Sequence, residues 1–217
     1  DAVVVFTKSE QSTVPNENVY VSFSNYRDFD EFDIQTDFHE REIDIGFLGR
    51  FHETKGITAL VKACQNLTSR FPKLRVRLLG NGPQYKKIEE LVGQSSQIEL
   101  AGWVERENIP SELNNIRTLI VPSEAEGLPT TVLEAMGCGV VVVASPVGSI
   151  PDLIDDEKNG FLLENNSKTS IEQTMQDICQ MNNIEEIASN GRESVKNRYS
   201  LSAAQRNFEM ISHNIVN

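Results

Sequence analysis

From Ile43 onward the apolar positions switch repeatedly between two periods. I-D-I-G-F-L (43–48) alternates and stops at Gly49, the pattern of a half-buried strand. Ile57, Leu60, Val61, Cys64, Leu67 and Phe71 then fall at helical spacing, an amphipathic helix of roughly four turns. The same exchange continues down the chain. Strands are predicted at 74–79, 98–100, 119–121, 140–144 and 161–163. Helices are predicted through Ile88, Leu91 and Val92, through Ile109, Leu113 and Ile116, from Thr130, briefly within 145–154, and over 168–181, 184–198 and 203–215. Ahead of Ile43 the pattern is weaker: short strands at 2–6 and 19–23 are separated by a polar loop. Alternation of this kind predicts an α/β fold, a Rossmann-like, doubly wound parallel sheet flanked by helices with right-handed crossovers.

Composition narrows the setting. At 217 residues the chain can bury a sizeable core. Its net charge of −12 disfavours nucleic acid and anionic membrane surfaces as partners. Eight acids stand against two arginines between Arg27 and Asp44, which reads as a solvated connecting segment or, less plainly, as a docking surface. Cys64, Cys138 and Cys179 form no C-x-x-C pair and read as small buried hydrophobes of a reducing compartment. His39, His52 and His213 offer no metal-binding spacing. Apolar runs are far shorter than the ~20 residues needed to span a bilayer, so no transmembrane segment is expected. No signal peptide is visible, and Asp1 in place of methionine implies that the chain does not start where translation does.

Open parallel sheets bind ligands at the loops leaving the carboxyl ends of their strands. G-R-F-H-E-T-K-G places Arg50 and Lys55 between a strand end and a helix start, where the dipole favours acids; cations at that spot suit an anion site better than plain surface charge. L-L-G-N-G-P supplies Gly80 and Gly82, which let main chain approach a ligand or merely turn, and lacks the third glycine of a dinucleotide fingerprint because Tyr85 stands there. The stretch from 119 to 144 brackets a loop and helix with Glu126, followed by Gly127, and Glu134. Each acid alone could be a solvated charge or a dipole partner; together they flank a cradle suited to phosphate and hydroxyls.

These pieces, in this order, resemble the C-terminal donor-binding domain of retaining glycosyltransferases of GT-B architecture (glycosyl transferases group 1, family 4). The matching stretches are G-R-F-H-E-T-K-G, L-L-G-N-G-P, I-E-L-A-G-W-V, V-P-S-E-A-E-G-L-P-T-T-V-L-E-A-M-G-C-G with its E-x7-E pair, and V-G-S-I-P-D-L-I followed by N-G-F-L. They cover about residues 43 to 165. The resemblance implies that Arg50 and Lys55 hold the donor diphosphate and stabilise the departing nucleoside diphosphate, and that Glu134 accepts hydrogen bonds from the ribose. It places Glu126 beside the donor sugar, with Gly127 and the amides of Leu128, Thr130 and Thr131 near sugar and phosphate. Gly102 and Trp103 fall where main chain edges the nucleobase, and Gly49, Gly80 and Gly82 line the same cleft. Attack from the front face, with the departing phosphate taking the acceptor's proton, needs no metal and no cofactor besides the nucleotide-diphospho-sugar substrate.

The resemblance also implies a missing half. Residues 1–24 match the end of an N-terminal domain and its linker, with Asn25 near the crossing. Residues 25–42 form the acidic connector, 43–200 the donor-binding domain, and 201–217 a helix that packs back toward the absent domain through Phe208, Met210 or Ile211, and Ile215. The chain is expected to be an excised half or one piece of a split enzyme, binding donor weakly and transferring nothing alone. In full it would move a hexose-type sugar to a saccharide or lipid-linked acceptor held by the missing domain, as in polysaccharide biosynthesis. The expected location is cytoplasmic, with any peripheral contact at the inner membrane face made through the missing domain. A non-catalytic nucleotide-sugar-binding scaffold and half of a nucleotide-sugar epimerase are the alternatives. Departures from the family pattern are Gly137 for alanine, no proline in 140–143, and Asp152 for glutamate.

Overall fold

A computed structural model describes residues 3–5, 11, 14, 15, 19–21, 26–127 and 129–216. Leu128, Asn25 and the outer residues of the two N-terminal strand expectations (Ala2, Phe6, Ser22 and Phe23) lie outside the described residues, as does the Ile215 side chain.

Strands β1 (Val3–Val5) and β2 (Val19–Val21) pair in parallel as a small sheet of their own. The main sheet comprises β3 (Ile43–Leu48), β4 (Val76–Leu79), β5 (Ile98–Gly102), β6 (Ile116–Val121), β7 (Val141–Ala144) and β8 (Phe161–Leu162), ordered β5-β4-β3-β6-β7-β8. Its pairings are all parallel. Helices α1 (Ile57–Arg70), α2 (Tyr85–Val92), α3 (Ile109–Asn114), α4 (Thr130–Gly137), α5 (Ile150–Leu153), α6 (Lys168–Ile178), α7 (Ile184–Tyr199) and α8 (Leu201–Val216) complete the chain.

Both faces of the sheet are covered, which is why its central strands read as continuous apolar runs. In β7, Val141 and Val143 face the core formed with α1 and α6, while Val142 and Ala144 face the one formed with α4 and α5. The doubly wound, Rossmann-like arrangement expected from the alternation is the observed one. Ile116 is the third apolar position of a helical pattern in sequence, yet it opens β6, and α3 ends at Asn114. The β-branched run beginning at Ile116 pairs with β3 from its first residue, and that pairing overrides the local helical spacing.

The acidic segment 27–44 is a packed strap, not a solvated connector. Phe29, Phe32 and Phe38 are buried, and the intervening acids face outward. Gly137 makes room for it: a methyl there would lie 2.7 Å from the Phe29 ring. The strap also delivers Arg41, buried to 1% exposure, whose guanidinium donates to the carbonyls of Ile116 (2.9 Å), Cys138 (2.7 Å) and Gly139 (3.0 Å). Arg192 of α7 donates to the Gly137 carbonyl and pairs with Asp33 of the strap. On α8, Phe208 and Met210 are exposed while Ile211 is buried.

Cysteine burial corrects one expectation. Cys64 and Cys138 are buried, and burial pushes each thiol up to about 12, whereas Cys179 is exposed at the end of α6. Partial desolvation, reinforced by the Asp44 charge, raises the Cys179 thiol as well. At about pH 8.5 a thiol reagent is therefore expected to modify Cys179 and spare the other two until denaturant is added. Modification of Cys64 or Cys138 as fast as Cys179 in the native chain would contradict the packing described.

Candidate functional site

The strand order reverses between β3 and β6, with β4 and β5 to one side and β7 and β8 to the other. That switch point is where an open parallel sheet leaves a crevice, because the two following connections diverge to opposite faces. Here lie two adjoining hollows, of about 540 Å³ and about 330 Å³, that share part of their lining. Both are walled by Leu48, Gly49, Arg50, Thr130 and Thr131. Gly80, Asn81, Gly82, Trp103, Val104, Arg106, Ile109 and Glu134 complete the first, and Lys55, Ser123, Glu126 and Pro129 help to close the second.

Main-chain contacts lock the loops that carry these residues. The His52 side chain caps a 3-10 turn over Glu53–Lys55, and Gly56 then turns with φ +67°. A Cβ on Gly56 would lie 2.1 Å from the Pro122 carbonyl oxygen, so this crossing of the two loops requires glycine. The amide of Glu124 donates to the Thr54 carbonyl at 2.8 Å, stitching the loops together. As a result Lys55 Nζ donates to Glu126 Oε1 at 2.6 Å, and Ser123 Oγ donates to the same oxygen at 2.6 Å. On the other side, Gly80 packs so closely that a Cβ would sit 1.9 Å from the Gly49 carbonyl oxygen.

Helix α4 starts after Pro129 without a side-chain cap, so its first amides and their partial positive charge face the crevice beside Thr130 and Thr131. One turn further in, Glu134 is 3% exposed. Arg106 Nη1 donates to Glu134 Oε1 at 3.3 Å. Arg27 Nε also lies 3.3 Å from that oxygen, but it is buried without a hydrogen bond, so this contact is ionic only. Burial raises the Glu134 carboxyl above the usual carboxylate range; Arg27 and Arg106 pull it down without cancelling the rise, and Glu31 adds to it.

Of the residues singled out by sequence, Gly49, Arg50, Gly80, Gly82, Trp103, Thr130, Thr131 and Glu134 line the first hollow, with Lys55 and Glu126 in the adjoining one. Gly102 and Gly127 flank the crevice without lining it. The Gly102 carbonyl accepts from the Gly80 amide at 2.6 Å, and the Gly127 carbonyl accepts from Ser149 Oγ at 2.6 Å. Leu128 is outside the described residues. Sequence reading missed Arg106 and Arg27. Arg106 follows the β5 strand end, and the rule that singled out the loops after β3, β4 and β6 applies to its loop equally. Nothing in the sequence couples Arg27 to Glu134. Among the described residues, no group of three His, Cys, Asp or Glu could hold a metal ion, and no helix is long and apolar enough to cross a membrane.

Residues 28–194 match the family described as glycosyl transferases group 1. An uncharacterized glycosyltransferase of Methanocaldococcus jannaschii is 29% identical over 163 residues, covering 73% of this chain and 45% of that protein. The chain spans under half the length of the curated relatives it matches. The C-terminal domain of a group 1 glycosyl transferase, LpcC of Francisella tularensis, superposes with a TM-score of 0.71 at 24% identity, covering 81% of this chain and 99% of that one. Anabaena HepE, solved in complex with UDP, superposes with a TM-score of 0.82 at 19% identity, over 98% of this chain and 64% of that one.

The raised carboxyl of Glu134 has a measurable consequence. The folded chain holds that proton more tightly than the unfolded chain, so ionising it costs stability, and the cost appears as pH rises from the ordinary glutamate range through the raised value. Glu134→Gln cannot ionise. Its melting temperature relative to the parent is expected to climb with pH across that window in thermal melts at fixed ionic strength. A difference that stays flat or falls would show that the two arginines outweigh burial.

Proposed function

The chain belongs to the glycosyl transferases group 1 family, and we propose that it is the donor-binding half of a retaining transferase that uses a nucleotide-diphospho-sugar. The observation that carries this reading is convergence. Two cations, two carboxylates and an uncapped helix N-terminus, drawn from loops after β3 and β6, meet in one crevice at the switch point. A diphosphate would lie against Arg50, Lys55 and the first amides of α4. The ribose hydroxyls would donate to Glu134, and the base would extend toward Trp103, Val104 and Ile109. The sugar would face Glu126. The UDP held by HepE, on the same fold, makes a uridine nucleotide the first candidate.

The chemistry follows from charge. Breaking the bond between the anomeric carbon and the phosphate oxygen leaves an oxocarbenium-like centre and a more anionic diphosphate. Arg50 offers a planar fork for two phosphate oxygens and Lys55 a point charge. In a crevice held by stitched loops both are positioned before the charge develops, and removing one such donor costs about 10²–10³ in rate. Glu126 is fixed by Lys55 and Ser123, and its carboxylate would face the sugar. The acceptor oxygen would approach from the partner domain and lose its proton to the departing phosphate. Transfer of a hexose-type sugar to a saccharide or lipid-linked acceptor, and the chain's inactivity without an N-terminal partner domain, belong to the same proposal.

Binding stabilises by RT ln(1 + [L]/Kd), so ligand at about 100 times Kd adds about 2.7 kcal/mol. In a thermal-shift panel of UDP, GDP, ADP and their sugars, one nucleoside diphosphate series is expected to raise the melting temperature. The shift is expected to vanish in Arg50→Ala and in Glu134→Ala. Variants that respond as the parent does would remove the crevice from consideration.

A further inference from the structure

Glu134 is gripped from two sides, and one of them opens on the crevice. Arg106 lines the hollow with its side chain 62% exposed, 3.6 Å from Glu31 as well as 3.3 Å from Glu134. Arg27 comes out of the strap, with its side chain 19% exposed and its Nε 3.3 Å from the same carboxylate oxygen. Arg27 is held independently of that contact. Its amide donates to the Tyr199 carbonyl at 2.8 Å, next to the bridge it forms with Ser200, and its Nη1 donates to the Tyr26 carbonyl at 2.8 Å. A ligand hydroxyl entering the hollow can replace Arg106 at the carboxylate, whereas Arg27 is not among the residues lining that hollow.

We propose, resting on the donor-site reading above, that Arg27 is a positioning residue: it holds the Glu134 carboxylate toward the crevice while ribose hydroxyls displace Arg106, and so raises donor affinity without touching the donor. The charge balance explains why a second cation is needed. Burial drives Glu134 toward its protonated form, Arg27 and Arg106 oppose this, Glu31 reinforces it, and the Glu134 charge in turn raises the Cys138 thiol. A protonated carboxyl has lost acceptor capacity, and hydrogen bonds to an ionised acceptor are roughly twice as strong as neutral ones. Once a ribose has taken the place of Arg106, Arg27 is the cation that still opposes protonation.

The chain's one tryptophan, Trp103, lines the same hollow and supplies the signal. UDP, GDP and ADP, each beside its 2′,3′-dideoxy form, are titrated by Trp103 fluorescence into the parent, Arg27→Met and Arg27→Lys. Arg27→Met is expected to weaken the preferred nucleoside diphosphate about tenfold, as loss of a charged partner implies, and to leave the dideoxy form within about twofold. Arg27→Lys is expected to recover most of the loss, and the Arg27→Met defect to deepen as pH falls from about 8 to about 6. Arg27→Gln carries the same comparison should Arg27→Met unfold. Equal weakening of the ribose and dideoxy forms, or no weakening, overturns the role of Arg27 alone. A parent chain that binds none of the three nucleotides overturns the donor-site reading, and this proposal with it.

Discussion

The placement of α4 is the constraint on which the crevice depends, and charge at its carbonyl end sets it. An eight-residue helix has little intrinsic stability, and this one spends its first turn facing an open hollow. Its far end compensates. Arg41 and Arg192 arrive from opposite ends of the chain and donate to the carbonyls of Gly137, Cys138 and Gly139, where the helix dipole is negative. Arg41 is buried, and burial lowers its guanidinium below the ordinary arginine value, so its cost is tolerated through hydrogen bonds to main-chain oxygens. With the carbonyl end pinned this way, the amides of Thr130 and Thr131 and the carboxylate of Glu134 are aimed as a unit.

The charges in the crevice work against stability in places and for it in others. Lys55 and Glu126 satisfy each other at 2.6 Å, so each holds the other in place at the second hollow. Glu134 is the opposite case: it sits where burial opposes its charge, and two guanidiniums only partly offset that. Strain of this sort, held in place by surrounding structure, is a common mark of a ligand site. The acids of the strap lie mostly outside, while Arg50, Lys55 and Arg106 stand beside Glu126 and Glu134 in the two hollows.

Much of this was legible in the sequence. The exchange of period 2 for helical spacing located the main-sheet strands and most of the helices, and the loop rule found Arg50, Lys55, Glu126 and Glu134 before their positions in space were known. The misses have physical causes. The strap looked solvated because its acids outnumber its aromatics, yet Phe29, Phe32 and Phe38 carry its packing. Arg27 lies over a hundred positions from Glu134 in sequence, and no local pattern signals a contact made through the third dimension. Cys179 shares helical spacing with buried neighbours but falls just past the end of α6, where the apolar face runs out.

Gly56, Gly80 and Gly148 each lie so close to a carbonyl oxygen of a neighbouring loop, at Pro122, Gly49 and Glu126, that a methyl group could not be inserted. At these three points of the rim one loop's backbone meets another's with no side chain between them. Altering what the crevice admits is therefore simplest through the side chains on those loops, since a larger residue at any of the three glycines would push a neighbouring loop aside.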